Sequence, residues 1–221
     1  MHSVFSRARI AAAIGLLATG AAQAVVVYSG PVNLAIPNTT AGLYLNVLDG
    51  STFTGPGTFP TVPGPGANFD FNVFGSTSWT FFSPGTSGQS NAVPTTSRGY
   101  VAATTTGAAS NLALGTLIGP ASVFNTGSPS ASAVTTGSAA LVGFRFRNEG
   151  ADLASTADDT VHFGWARISL VAGAPGTLID YAFESTPLTP IAAGVVPEPA
   201  TWLMMGLGAA ALLARRRRSV R

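Results

Sequence analysis

The sequence predicts an all-β body: one β-sandwich of jelly-roll type spanning residues 25–195. Apolar and polar residues alternate with a period of two through several segments, the mark of strands with one buried face. Clusters of Gly, Pro, Asn and Asp separate these segments, giving roughly eight to ten short strands joined by turns. No stretch of the body carries apolar residues at helical spacing for a convincing length. Many short strands with frequent turn signals favour a sandwich or barrel over a mixed fold.

The first two candidates, 25–29 and 32–36, are rich in β-branched residues and separated by Gly30-Pro31. The next, 43–48, runs into Asp49-Gly50, a dipeptide suited to tight turns. Residues 55–66 are rich in Gly and Pro and read as a loop. Residues 68–74 alternate polar and aromatic side chains, and 78–82 follow as a further strand. A loop over 83–97 leads to a candidate at 100–106. Residues 112–118 suit either a strand or a short helical turn, and 125–137, a run of Ser, Thr, Gly and Ala, reads as a surface loop.

The strongest signals lie late in the chain. Residues 141–147 place Phe144 and Phe146 on one face, Arg145 and Arg147 on the other. A polar connection over 148–159 precedes a long alternating run, 160–171. Val161, Phe163 and Trp165 oppose His162, Gly164, Ala166, Ile168 and Leu170. Both faces turn apolar toward its C-terminal end, which predicts a central strand. Residues 177–184 close the set, and no segment recurs at a fixed period.

Composition narrows the function classes. The formal charge of +2 comes from the ends. Between residues 25 and 196, Arg98, Arg145, Arg147 and Arg167 stand against eight acids, so the body has a net charge of −4. Binding to nucleic-acid phosphates needs clustered Lys and Arg, so a nucleic-acid partner is not expected. The chain has no cysteine, which excludes a cysteine nucleophile, a thiolate zinc site and an iron–sulfur cluster. Charged residues are 9% of the chain, against about 25% in ordinary domains. Hydroxyl and amide side chains supply the polar surface, while hydrophobicity stays high, unlike the usual disordered composition. A body of about 170 residues is large enough to bury a core without disulfides.

The two ends carry addresses. Arg7 and Arg9 precede an apolar stretch and Ala22-Gln23-Ala24, which together form a secretory signal peptide over 1–24, with cleavage by signal peptidase expected after Ala24. At the other end, 196–221, Pro197 and Pro199 interrupt any strand, and residues 200–214 form an uncharged, helix-favouring run. At about 1.5 Å per residue the run is short for a membrane helix, and Arg215, Arg216, Arg217 and Arg218 can extend it by snorkelling. Their charge orients the tail with its end in the cytoplasm and the body outside the inner membrane.

Val196-Pro197-Glu198-Pro199, the apolar run and the arginine cluster resemble the PEP-CTERM sorting signal of Gram-negative bacteria. The resemblance covers roughly the last 25 residues and rests on three unlike elements in fixed order. It implies processing by an exosortase, a transient inner-membrane intermediate, and a final place on the cell surface or outside it, often beside exopolysaccharide. Strand segments 141–148, 161–170 and 178–194 also resemble a recurrent group of PEP-CTERM proteins, as do 43–50 and 68–82. That group brings no settled activity.

Candidate chemistry is sparse. His162, the single histidine of the body, has Asp158 and Asp159 nearby and suits a general base, a metal ligand or a structural role. One histidine does not make a zinc site, and Glu149, Asp152, Asp158 and Asp159 lack calcium-loop spacing, so no metal or cofactor is expected. Residues 85–90, GTSGQS, do not match a nucleophile elbow. Asp180 and Glu184 share a strand face about 13 Å apart, too far for a retaining glycosidase pair. Trp79, Trp165, Tyr100 and Tyr181 suit either sugar stacking or a core. Together these features predict a non-enzymatic envelope or matrix protein. A carbohydrate-binding module is the alternative, and a hydrolase around Asp158, Asp159 and His162 a more distant one.

Overall fold

A computed structural model of the chain describes residues 25–55, 69–82, 98–148 and 157–196. The expected signal helix and membrane helix lie outside these residues. In chain order the strands begin with β1 (Val26–Tyr28), β2 (Leu34–Ile36), β3 (Leu43–Leu45), β4 (Thr52–Phe53) and β5 (Phe71–Phe74). They continue with β6 (Thr80–Phe82), β7 (Gly99–Val101), β8 (Leu117–Ile118) and β9 (Phe124–Asn125). The last four are β10 (Ala139–Asn148), β11 (Thr160–Ser169), β12 (Gly176–Glu184) and β13 (Ile191–Ala192). Every regular element among the described residues is a strand, and every pairing is antiparallel.

The alternating segments near the C-terminus form the heart of the larger sheet. Its order is β1-β12-β11-β10-β7-β9, with β2 also paired to β12. β10 and β11 pair without interruption from Ala139 opposite Ser169 to Asn148 opposite Thr160. β11 is therefore interior to the sheet, as its two apolar faces predict. A second sheet has the order β4-β3-β5-β6, and β13 pairs with β8 separately.

Each face of the larger sheet buries its own apolar cluster. Val142, Phe144, Phe146, Ala166, Ile168, Tyr181 and Phe183 share one cluster with Leu43, Leu45, Phe71, Val73 and Phe81 of the smaller sheet. Phe71 meets Phe144 edge-on across this junction at 5.5 Å between ring centroids, a favoured aromatic geometry. On the opposite face, Phe163, Trp165 and Ala182 pack with Ile118, Phe124, Ile191 and Ala193. Arg145 and Arg147 point to that second face, where the Arg145 guanidinium lies 4.4 Å from the centre of the Phe124 ring.

A β-bulge keeps the apolar residues of β12 in phase with the first cluster. Arg167 is opposite Asp180, but Ile168 is opposite Leu178, so Ile179 is an extra residue. An inserted residue inverts the alternation. Leu178 and Tyr181 thereby reach the same cluster despite their odd separation. The Ile179 carbonyl accepts from the backbone of Val32 at 2.9 Å and Asn33 at 3.1 Å, so the irregularity leaves that acceptor satisfied.

Several boundaries differ from expectation. The segment starting at Tyr100 stops being regular after Val101, with only an isolated bridge from Ala102 to Ala109. Residues 112–118 contribute just β8. The segment 125–137, expected on the surface, buries Ala131 and Val134 completely. The connections at 56–68, 83–97 and 149–156 lie outside the described residues.

Candidate functional site

The point where the body ends is held firmly. The Ala193 amide donates to Thr116 O at 2.9 Å, and Gly115 donates to Ala193 O at 2.8 Å. Gly194 has φ +70, and a Cβ there would lie 2.7 Å from Leu141 Cδ1. Both the left-handed backbone and the lack of space call for glycine. Immediately beyond, Val195 and Val196 are 46% and 38% exposed. The chain is thus fixed through Ala193 and reaches the surface where the tail begins. Pro197, Glu198, Pro199 and Arg215–Arg218 lie outside the described residues, as do Ala22 and Ala24.

His162 is built into β11 as a structural group. Its Nδ1 is 2.8 Å from the Glu184 carbonyl oxygen, so this nitrogen must donate. Its Nε2 is 2.8 Å from Thr160 Oγ1. The imidazole is buried and stacks on Phe146 at 5.5 Å. Asp159 forms an ion pair with Arg147 at 2.9 Å, and both side chains are about 6% exposed. Asp158 is exposed. Among the described residues no hydrogen bond joins His162 to either aspartate. Glu149 and Asp152 lie outside the described residues, and among those described no three His, Cys, Asp or Glu side chains gather as metal ligands.

Of the two settings open to the aromatic candidates, sugar stacking or core, their burial is that of core residues. Trp165 is fully buried, and Trp79 is 2% exposed with its Nε1 donating to Val171 O at 2.7 Å. Tyr100 and Tyr181 are buried as well. A buried ring offers no face to a sugar. A depression of about 250 Å³ is bordered by Thr77, Ser78, Ser130, Ser132 and Thr135, with Trp79 in its wall.

Asp180 and Glu184 lie on one face of β12, as their spacing requires, but each has its own setting. Asp180 Oδ2 accepts from the Tyr28 hydroxyl at 2.9 Å and pairs with Arg167 Nη1 at 3.2 Å. Burial, then this neighbouring carboxylate, pushes the Tyr28 phenol above its ordinary range. Glu184 Oε1 accepts from the Val25 amide at 2.9 Å and the Thr186 amide at 2.8 Å. Sequence reasoning could not find these partners, because Tyr28 and Val25 lie 152 and 159 positions away.

The tail's identity rests on a comparison. Residues 195–218 match the PEP-CTERM protein-sorting motif. The match begins at Val195, the first exposed residue past the fixed turn, and takes in the Pro-Glu-Pro element and the arginine cluster. The chain therefore carries the signal of an exosortase substrate, exported and sorted to the cell surface or beyond. No curated protein and no solved structure matches the chain.

Proposed function

We propose that this exosortase substrate delivers a non-enzymatic β-sandwich to the envelope or extracellular matrix, where it serves as a structural or adhesive component. The observation that carries this reading is the placement of the sorting motif directly behind a body fixed through Ala193. The settings of the titratable candidates support it: Arg147 holds Asp159, Arg167 and Tyr28 hold Asp180, and His162 is spent on Thr160 and Glu184. Groups committed in this way are poor acids, bases or nucleophiles. In this reading signal peptidase removes residues 1–24 and the tail holds an inner-membrane intermediate. Exosortase then removes the tail.

The test begins with intact mass and both termini of the protein from culture medium and from membranes. A species starting at Val25 and ending near Pro197–Pro199 outside the inner membrane is expected. Cells lacking the chain should lose matrix cohesion or attachment, and the wild-type chain should restore it. Purified body that turns over a substrate, with single changes abolishing turnover but not folding, would overturn the non-enzymatic reading.

Carbohydrate binding is the second reading, supported by the hydroxyl-bordered hollow at Thr77, Ser130 and Thr135. Titration with the producer's own exopolysaccharide, in wild type and in Thr135→Val, distinguishes it.

A further inference from the structure

Glu184 is a buried carboxylate with an unusual set of partners. It is 1% exposed, yet among the described residues no arginine side chain reaches it. Arg147 is paired with Asp159, and Arg167 with Asp180. The Glu184 carboxylate instead accepts two backbone amides, from Val25 and Thr186, on Oε1. A buried carboxylate needs a counter-charge as well as hydrogen bonds to be held ionised at low cost.

Val25 is the residue that signal-peptide removal would expose. Hydrolysis of the Ala24–Val25 bond consumes a water, leaves a carboxylate on Ala24 and frees the Val25 nitrogen as a primary amine. An α-amine is mostly protonated at neutral pH. Its nitrogen would then be a cation with three N–H donors at the atom that stands 2.9 Å from Glu184 Oε1. Its position is set on both sides: Ser185 N donates to Val25 O at 3.0 Å, and Val26 is in register with Glu184. In an uncut chain the same nitrogen is a neutral amide.

We propose that Glu184 is a receptor for the α-ammonium group of Val25, so that removal of residues 1–24 supplies the counter-charge of a buried carboxylate and locks β1 onto β12. The site reads the position of the cut. Each additional residue moves the charge by about 3.3 Å along the strand, out of reach of Glu184. It rests on the N-terminal cut of that reading but not on the fate of the tail or on a matrix role, so it can fail while those stand, and stand while those fail.

The composition makes a selective test available. All eleven Lys and Arg residues are arginine, so the processed chain has no lysine and the Val25 α-amine is its sole primary amine. The exported protein is recovered after natural processing, and its intact mass is measured. It is then treated with an N-hydroxysuccinimide acetate at fixed pH, folded and in concentrated guanidinium. The expected result is an N-terminus at Val25 that acetylates at least about tenfold more slowly in the folded protein, with the protection lost in Glu184→Gln. A chain with one alanine inserted after Ala24, cut one residue early, should also lose protection and unfold at lower temperature. This variant keeps the carboxylate and decides the matter if Glu184→Gln does not fold. An N-terminus elsewhere, or equal acetylation of folded and unfolded wild type, overturns the proposal.

Discussion

The Tyr100 hydroxyl joins the two sheets through the backbone of Asn72. It accepts from the Asn72 amide at 2.8 Å and lies 3.0 Å from the carbonyl oxygens of both Asn72 and Phe82. Tyr100 lies on β7 of the larger sheet and Asn72 on β5 of the smaller, both interior strands, so this pair ties the two sheets together at the apolar cluster. Tyr100→Phe keeps the ring contacts with Phe71 and Phe81 but leaves the Asn72 amide without its acceptor. A loss of about 1–3 kcal/mol in unfolding free energy is expected by denaturant titration. No change in stability would show that the hydroxyl is dispensable.

Alkaline pH should unfold the protein through its tyrosines. Tyr28, Tyr44, Tyr100 and Tyr181 are all held above the ordinary value of 10.0, in each case chiefly by burial. Folded tyrosines thus keep protons that the unfolded chain releases. Their stabilising contribution is full below pH about 10 and is lost as pH rises through the folded values. Phenolate absorbance should appear together with loss of the circular dichroism signal. Ionisation of all four in a still-folded protein would contradict this.

The Arg147–Asp159 pair should be costly to halve and cheap to replace. Arg147→Met or Asp159→Asn removes one half of a nearly buried ion pair and should cost about 3–5 kcal/mol. Replacing both with apolar residues should recover much of that loss, as read by thermal denaturation of the two single variants and the double.

Gly164 makes room for an aromatic ring. A Cβ there would lie 2.6 Å from Phe144 Cζ and 2.9 Å from the Ala182 carbonyl oxygen. Gly164→Ala should cost about 1–3 kcal/mol by overpacking. Adding Phe144→Leu should return part of this loss, giving a non-additive cycle. Equal losses with and without Phe144 would place the strain at the Ala182 carbonyl instead.

Legibility in the sequence followed strand length and residue size. β10, β11 and β12 were readable because nine or ten residues carry several periods of alternation. β4, β9 and β13 have two residues each and show no period at all. Ala131 and Val134 were hidden because small residues in a Ser/Thr run make no hydrophobic pattern, although both are fully buried. Trp79 and Trp165 were ambiguous for another reason: indole suits a core and a sugar platform equally, and only packing distinguishes them. The tail was fully legible, because its recognition depends on linear order and not on a fold.

The pairing of β1 with β12 sets a timetable for export. Val26 is in register with Glu184, so the first strand to leave the cell is among the last to meet its neighbour. β2 waits for the same strand. A chain threaded outward from its N-terminus must therefore pass nearly all of the body before this edge can zip up. Until then its apolar segments remain open to aggregation or to a holding chaperone. Strand β12 emerges only about a dozen residues ahead of the tail. In an exported chain, closure of the sheet and emergence of the sorting motif thus become nearly simultaneous events.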